Sequence, residues 1–291
     1  MKYLVLGSAG QIGAPLCKFL KKKGHQVIEV DIVNDDIHQD LRTAAEPGDY
    51  KNWPYRIEEA DFVFFLAFDV GGARYLDKYQ HTTDFIQNNV KIMSNVFPFL
   101  QHYKKPFVFA SSQMSNMTNS PYGVAKLLGE TYTKSLGGLT VKFWNIYGPE
   151  HDLEKSHVIT DLILMARDKK EIVLRTTGQE ERQFVHVEDC CECLYEVSQN
   201  YNTIPRDKNL HVASFDWVKI EDVAKIIHKE MNLKGEIQMS SSKDLQVGFR
   251  NEPDPYIIKY WRPYVSLENG IADMVGHYTV KQGKNVKLLG K

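Results

Sequence analysis

The chain has 291 residues, which suits one large α/β domain or such a domain with a smaller appendage. Apolar residues make up 43% of it, enough for a real core, so the composition excludes wholesale disorder. The formal net charge of −1 gives no reason to expect a nucleic-acid or acidic-membrane partner.

The sequence gives no sign of secretion or of disulfides. The N-terminus enters an apolar run without a charged-then-apolar leader, and no apolar segment is long enough to cross a bilayer. Of the four cysteines, Cys190, Cys191 and Cys193 cluster without Cys-x-x-Cys spacing, and Cys17 lies in the first predicted helix. We therefore expect a cytoplasmic protein with reduced packing cysteines and no metal site.

Strands and helices alternate through the first half of the chain. Short and almost continuously apolar runs predict strands at 3–6, 27–30, 62–66, 107–110 and 141–144. Longer stretches between them predict helices at 11–23, 83–102 and 122–136. This alternation predicts an α/β fold with a doubly wound parallel sheet of the Rossmann type and right-handed crossovers.

The regularity weakens after residue 149. We expect helices at 158–167 and 220–231, a short strand at 171–175, and strands at 184–187 and 210–213 that return to the main sheet. The first domain is therefore predicted to bind a dinucleotide and to comprise residues 1–149, with 184–215 returning to it. Residues 150–183 and 216–291 are predicted to form a smaller substrate-binding cap.

A glycine-rich turn follows the first strand. Gly7, Gly10 and Gly13 have the spacing that permits a tight reversal, close approach to a phosphate and close packing of helix on strand. The amides that open the next helix would point at a pyrophosphate. The second strand ends at Asp31, whose carboxylate would bind an adenosine ribose and repel a 2′-phosphate. The turn predicts NAD as the cofactor; alternatively, Asp31 only caps a turn.

A tyrosine and a lysine stand four residues apart, on one face of a predicted helix. A free phenol titrates near ~10, so Tyr122 needs a nearby ammonium and the positive nicotinamide ring to favour its phenolate. Lys126 would supply that ammonium. Ser112 follows the strand at 107–110, at the sheet edge where ligands bind, and its hydroxyl would hold the same substrate oxygen. We predict that these three residues are catalytic; alternatively, Tyr122 and Lys126 are a surface helix pair.

Further segments follow in an order that resembles a known family. Besides the glycine turn and the Tyr-x-x-x-Lys pair, they are Asp40-Leu41-Arg42, Phe65-Leu66-Ala67-Phe68, Asn89-Val90, 143–149 (Phe-Trp-Asn-Ile-Tyr-Gly-Pro), 182–189 (Arg-Gln-Phe-Val-His-Val-Glu-Asp) and 265–271 (Val-Ser-Leu-Glu-Asn-Gly-Ile). Together they cover nearly the whole chain. The chain resembles the extended short-chain dehydrogenases/reductases, specifically the NAD-dependent nucleotide-sugar epimerases and dehydratases.

The resemblance implies roles for individual residues. Asn145 would lie in the sugar-nucleotide site, and the guanidinium of Arg182 would contact the diphosphate. The residues expected to bind NAD are Gly7, Gly10, Gln11, Ile12, Gly13, Asp31, Ile32, Asp40, Leu41, Leu66, Ala67, Phe68, Tyr122 and Lys126.

Two departures from the family pattern bear on the reaction. Family dehydratases place an acid two residues after the catalytic serine or threonine, whereas this chain has Met114 there. Neither Gln113 nor Ser115 is a good replacement, so dehydration is disfavoured. Only ten positions separate Ser112 from Tyr122, which is fewer than usual, and the shorter loop predicts a more open pocket or a bulkier sugar.

The resemblance implies NAD-dependent oxidoreduction at C4 of a nucleoside-diphosphate sugar, with 4-epimerisation favoured. The alternatives are net oxidation to a 4-keto sugar with tightly held NADH, and reduction of a 4-keto sugar. A non-catalytic NAD-binding sensor is a fourth interpretation, although such family members generally lack Tyr-x-x-x-Lys.

A homodimer is also expected. Family members pair the helices corresponding to 83–102 and 122–136 in a four-helix bundle. The apolar positions on these helices exceed what one buried face needs: Ile86, Val90, Ile92, Met93, Leu127, Leu128 and Tyr132.

Overall fold

A six-stranded parallel sheet forms the centre of the molecule, which a computed structural model describes for residues 1–33, 39–43, 53–242 and 251–280. The sheet is ordered β2-β1-β3-β4-β5-β9, and every neighbouring pair is parallel. Its strands are β1 (Lys2–Leu6), β2 (Gln26–Val30), β3 (Phe62–Phe65), β4 (Phe107–Ser112), β5 (Leu139–Phe143) and β9 (Leu210–Val212). The chain runs outward from β1 to β2 and then returns to β3, which creates a switch point where α/β sheets bind ligands. The predicted fold class is confirmed.

Helices cover both faces of the sheet because successive strand residues point to opposite sides. Tyr3 and Val5 of β1 pack on one side with α1 (Gly13–Lys22) and α7 (Val187–Gln199). Leu4 and Leu6 pack on the other side. That side carries α2 (Trp53–Glu59), α4 (Thr83–Tyr103) and α5 (Pro121–Ser135). The central strands β3 and β4 are therefore buried on both faces, as their near-continuous apolar character predicts, whereas the edge strand β2 exposes Gln26 and Glu29.

A short helix, α3 (Ala73–Tyr79), follows β3 and buries Leu76 against Phe85 and Tyr122. It lies beside the carboxyl edge of the sheet and forms one wall of the cavity described below.

Part of the chain after residue 149 builds a second apolar core. Its helices are α6 (Val158–Lys169), α8 (Ile220–Glu230) and α9 (Leu267–Val280), which pack on one another. Two short strands, β7 (Glu181–Arg182) and β10 (Val218–Lys219), pair antiparallel beside them. The division into two domains at residue 149 stays a prediction.

Two expectations about the second half are wrong. Residues 184–187 do not return to the main sheet: β8 (Phe184–His186) pairs in parallel with β6 (Asn145–Tyr147) in a separate two-stranded sheet. The edge beside β5 is occupied by β9, because Val141–Phe143 pair with Leu210–Val212. The strand expected at 171–175 is reduced to an isolated bridge between Val173 and Gln238.

The four cysteines are buried free thiols. Burial raises the pKa of the Cys17 thiol to about 12, which makes it a packing group rather than a nucleophile. In the ranges that the structure describes, no helix is both long and apolar enough to cross a membrane.

Candidate active site

A cavity of ≈ 1620 Å³ runs along the carboxyl edge of the sheet and extends between α3, α6 and β7. It is large enough for a dinucleotide and a second sizeable ligand side by side. Every residue predicted for the site lines it: Gly7, Gly10, Gln11, Ile12, Gly13, Asp31, Ile32, Asp40, Leu41, Leu66, Ala67, Phe68, Ser112, Tyr122, Lys126, Asn145 and Arg182. The fold therefore brings them together, while their individual roles stay predictions.

The glycine turn makes a backbone cradle. Gly7 adopts a φ of +88°, and a Cβ built on it would lie 2.7 Å from the Ala67 amide nitrogen. A Cβ on Gly13 would lie 2.0 Å from the Gly7 carbonyl oxygen. Side chains are thus excluded where helix α1 starts, and no side chain caps that helix at Ile12. The cradle fits a pyrophosphate that takes the first amides of α1.

Two acidic residues, Asp31 and Asp40, line the end of the cavity next to β2. The Asp31 carboxylate accepts hydrogen bonds from the backbone amides of Ala9 (2.9 Å) and Val33 (3.2 Å), so it also organises the turn. The position of Asp31 is therefore compatible with both interpretations from the sequence, ribose binding and capping of the turn. Asp40 accepts hydrogen bonds from Nε (2.9 Å) and Nη2 (2.8 Å) of Arg42, which hold the pKa of its carboxyl below the usual range. Because the Asp31 carboxylate lines this end of the cavity, it suits a ribose hydroxyl better than a 2′-phosphate.

Ser112, Tyr122 and Lys126 meet at the middle of the cavity. Ser112 is the last residue of β4, and Tyr122 lies in the first turn of α5, which begins after the Ser120 cap. The Ser112 and Tyr122 hydroxyls share a hydrogen bond, and Lys126 Nζ donates to the Ala110 carbonyl oxygen at 2.6 Å. Tyr122 and Lys126 are buried rather than exposed, so the surface-pair alternative is wrong.

Burial shifts the two titrating groups in opposite directions. It raises the pKa of Tyr122 to about 12, against the hydrogen bond with Ser112, which lowers it. It lowers the pKa of Lys126 to about 7, against the attraction of the Glu130 carboxylate, which raises it. Both groups are therefore neutral over much of the range between these values. A phenolate at Tyr122 needs positive charge brought close to it.

The short segment between Ser112 and Tyr122 folds tightly against α5. Gln113–Asn116 form a 3₁₀ turn, and Gln113, Met114 and Met117 line the cavity. A Cβ on Gly123 would lie 2.3 Å from the Met114 carbonyl oxygen, so the glycine lets the segment approach. The hydroxyl of Ser115 is buried and accepts a hydrogen bond from Lys142 Nζ at 3.0 Å.

Of the two residues expected to bind substrate, Asn145 opens β6 and Arg182 ends β7. Asn145 Nδ2 donates to the Gln183 carbonyl oxygen at 3.1 Å. Arg182 Nη1 donates to the Glu181 carbonyl oxygen at 2.8 Å. Both side chains are thereby oriented at the cavity wall.

A polar cluster on the cavity wall was missed in the sequence. Asp69 accepts hydrogen bonds from the Tyr75 hydroxyl (2.6 Å) and Lys155 Nζ (3.1 Å), and these contacts tie α3 to the loop before α6. The Gly71-Gly72 pair is the sequence signal that could have indicated this close packing. A Cβ on Gly72 would lie 2.2 Å from the Ser156 carbonyl oxygen, so the loop before α6 packs directly on the glycine.

A glycine cradle at the first strand end and a buried Ser-Tyr-Lys group define a nicotinamide-dependent oxidoreductase of the short-chain type. The chain belongs to the NAD dependent epimerase/dehydratase family, whose sequence model matches residues 3–213. It is therefore an enzyme, and its cofactor is NAD.

Similar proteins extend the comparison. The chain is 23% identical over 312 residues to the probable GDP-L-fucose synthase 1 of Oryza sativa, covering 95% of this chain and 92% of the relative. It is 28% identical over 232 residues to the uncharacterized UDP-glucose epimerase YtcB of Bacillus subtilis, covering 65% of this chain and 70% of the relative. The structure of UDP-glucose 4-epimerase from Thermotoga maritima matches with a TM-score of 0.79 at 19% identity, over 96% of this chain and 98% of that one.

Proposed function

We propose that this enzyme interconverts the C4 epimers of a nucleoside-diphosphate sugar. One observation carries the proposal: the hydrogen-bonded Ser112 and Tyr122 hydroxyls and Lys126 line the same cavity as the glycine cradle. A secondary alcohol placed against the two hydroxyls would therefore lie within reach of both a proton acceptor and the cofactor.

Tyr122 and Ser112 have different roles in the proton transfer. Tyr122 removes the proton of the 4-hydroxyl, and Ser112 donates a hydrogen bond to the same oxygen so that the negative charge developing on it is shared. Held by the glycine turn of Gly7, Gly10 and Gly13, NAD would supply reversible hydride chemistry at C4 of the sugar. Tyr122 then gives the proton back to the oxygen. Lys126 holds the cofactor ribose and, when protonated, stabilises the phenolate.

Arg182 and Asn145 hold the substrate. The guanidinium of Arg182 takes the diphosphate, and Asn145 binds the sugar. Anchoring through the diphosphate leaves the hexose able to turn over between the two hydride transfers. In this proposal the elements of 150–183 and 216–291 act as the substrate-binding cap.

Dehydration is not part of the proposal. Met114 stands where an acid would be needed, and Ser115 is buried in its hydrogen bond with Lys142. A departing hydroxyl would therefore lack the proton donor that the family's dehydratases place there.

Product analysis tests the function. The purified enzyme is incubated with UDP-, GDP- and dTDP-sugars, and the products are examined by mass spectrometry and proton NMR. We expect one substrate to yield a 4-epimer of unchanged mass, and Tyr122→Phe to lower the rate about 10²–10⁴-fold because the proton acceptor is lost.

The other outcomes distinguish the alternatives. A product lighter by two hydrogens would replace epimerisation by net oxidation, and loss of water would overturn the interpretation of Met114. Turnover only of 4-keto sugars would make the enzyme a reductase. Absence of turnover despite bound NAD would favour a sensor.

The proposed assembly is a homodimer. Helices α4 and α5 lie side by side and expose apolar side chains, which supports pairing with a second copy. Of the positions named from the sequence, Ile92 and Met93 are buried in the protomer's own core, and the other five are exposed. A cytoplasmic location stays a prediction.

A further inference from the structure

An aromatic ring lies directly on the ammonium group of Lys126. Lys126 Nζ is 3.6 Å from the centroid of the Phe68 ring, and both residues line the cavity. Phe68 ends the Phe65-Leu66-Ala67-Phe68 segment, which begins at the last residue of β3.

The neighbouring side chains fix the orientation of that ring. Phe68 meets Phe109 at 6.5 Å and Tyr122 at 6.0 Å between centroids, both edge-to-face. Lys126 Nζ is farther from those two rings, at 5.2 Å from Phe109 and 5.8 Å from Tyr122. Phe68 is therefore the ring whose electron-rich face meets the ammonium group, and it is held there by packing.

The charged groups around Lys126 have other partners as well, although Glu130 attracts the ammonium group and raises its pKa. Glu130, one turn further along α5, is tied to Lys142 of β5 (3.1 Å) and to the Ser111 hydroxyl of β4 (2.5 Å). Asp69, next to Phe68, is engaged by Lys155 at 3.1 Å. Tyr122 on the same helix is neutral at physiological pH because burial raises its pKa. The Ala110 carbonyl oxygen takes one N–H of Lys126.

We propose that Phe68 is a positioning residue for Lys126: its ring face holds the ammonium group in its charged form beside Tyr122. A cation over an aromatic face is stabilised by the ring quadrupole, and this stabilisation grows when water is excluded. The carbonyl of Ala110 and the ring take two sides of the ammonium group, which leaves its third N–H for a cofactor ribose. The ring thereby opposes the cost of burial, which on its own favours the neutral amine.

The proposal deepens the proposed function because a charged Lys126 is what favours the phenolate of Tyr122. It can still be tested separately, since the protonation of Lys126 can be measured in the cofactor-free protein. Failure to find any sugar substrate would leave that measurement intact.

The experiment compares variants at position 68 by competitive labelling of lysines with acetic anhydride across pH, read by mass spectrometry. We expect Phe68→Leu to lower the pKa of Lys126 by about one pH unit, because the ring face is lost while the site stays apolar. Phe68→Tyr should restore the wild-type value within experimental error. Phe99→Leu, an aromatic-to-leucine change on the far side of α4 against Trp53, is the matched control and should change nothing.

If Phe68→Leu fails to fold, a second variant that keeps the shape of the ring still tests the proposal. Replacement of Phe68 by pentafluorophenylalanine reverses the quadrupole with little change in volume, and it should lower the pKa of Lys126 at least as much as leucine does. An unchanged pKa in either folded variant would overturn the proposal. In the active enzyme, the same two variants should reduce kcat with little change in substrate KM, and Phe68→Tyr should restore kcat.

Discussion

Burial decides the protonation of Lys126 in the cofactor-free protein. Its folded-state pKa of about 7 lies below the value of about 10.4 for an unfolded chain. Below pH 7 both states are protonated, and the folded protein bears the whole cost of the buried charge. Between pH 7 and 10 the folded state has released the proton that the unfolded state retains, so this residue makes the protein more stable as pH rises.

Lys126→Met should remove that pH dependence. The stability difference between variant and wild type, measured by urea unfolding without NAD, should move by roughly 3 kcal/mol in favour of wild type between pH 6.5 and 10. The slope is the readout, because methionine also loses the hydrogen bond to Ala110 at every pH. Lys22→Met, at an exposed position of α1, is the control and should give a flat difference. A flat difference for Lys126→Met would contradict the buried-charge account.

One buried ion pair ties α5 to the two strands beneath it. Lys142 of β5 and Glu130 of α5 are 6% and 15% exposed and lie 3.1 Å apart. Ser111 of β4 donates to the other oxygen of Glu130, and Ser115 accepts from Lys142. The position of α5, and with it Tyr122, therefore depends on a satisfied polar network inside the protein.

Breaking that pair on one side should cost more than removing it altogether. Lys142→Met leaves the Glu130 carboxylate buried without its cation, and we expect a loss of about 3–5 kcal/mol in the free energy of unfolding. Lys142→Met combined with Glu130→Leu removes both charges and should lose clearly less. Denaturant unfolding of the single and double variants decides the matter; equal losses would mean that the network contributes through packing alone.

Gly123 allows the loop after Ser112 to dock on α5. In Gly123→Ala the new methyl would meet the Met114 carbonyl oxygen at 2.3 Å, so the segment must move away from the helix. We expect a loss of about 2–3 kcal/mol and at least a tenfold lower kcat, since Ser112 and Tyr122 would no longer be held together. Gly276→Ala is the control: it lies in α9 with nothing within 4 Å of the added carbon and should be neutral or slightly stabilising. Wild-type kcat in Gly123→Ala would refute the docking argument.

The sequence predicted the elements whose pattern is local and strong. The core strands are nearly continuous apolar runs, and α4 and α5 are long, so both kinds of element stood out. Helices α2 and α3 are only seven residues each and bury few side chains, so neither has a clear period. The placement of β8 was wrong because a three-residue strand carries no sign of which neighbour it pairs with. Partners of that kind are set by the tertiary fold.

In the candidate active site, too, the sequence predicted local relations between residues but not tertiary contacts. Ser112, Tyr122 and Lys126 were predictable because strand ends and helical spacing bring them together. The ring of Phe68 on Lys126 and the opposite pKa shifts were not, because they depend on burial and on side chains distant in sequence.

Considered as a whole molecule, the protein exposes its apolar side chains unevenly. Six large apolar residues lie on the outer faces of α4 and α5, each at least 40% exposed: Ile86, Val90, Val124, Leu127, Leu128 and Tyr132. We call them the α4/α5 patch. Exposed apolar side chains grouped on adjoining helices are typical of protein interfaces, and two neighbouring helices suit pairing with the same two helices of a second copy.

One charge in the α4/α5 patch should separate the subunits. By light scattering coupled to size exclusion, we expect the wild-type chain of 33.5 kDa to elute with twice that mass. Leu127→Glu should elute as a monomer because pairing would bury its carboxylate twice across a twofold interface. Met239→Glu, equally exposed but outside the α4/α5 patch, is the matched control and should remain a dimer. A monomeric wild type would refute the dimer, and dissociation of both variants alike would mean that charge in general, rather than this patch, controls association.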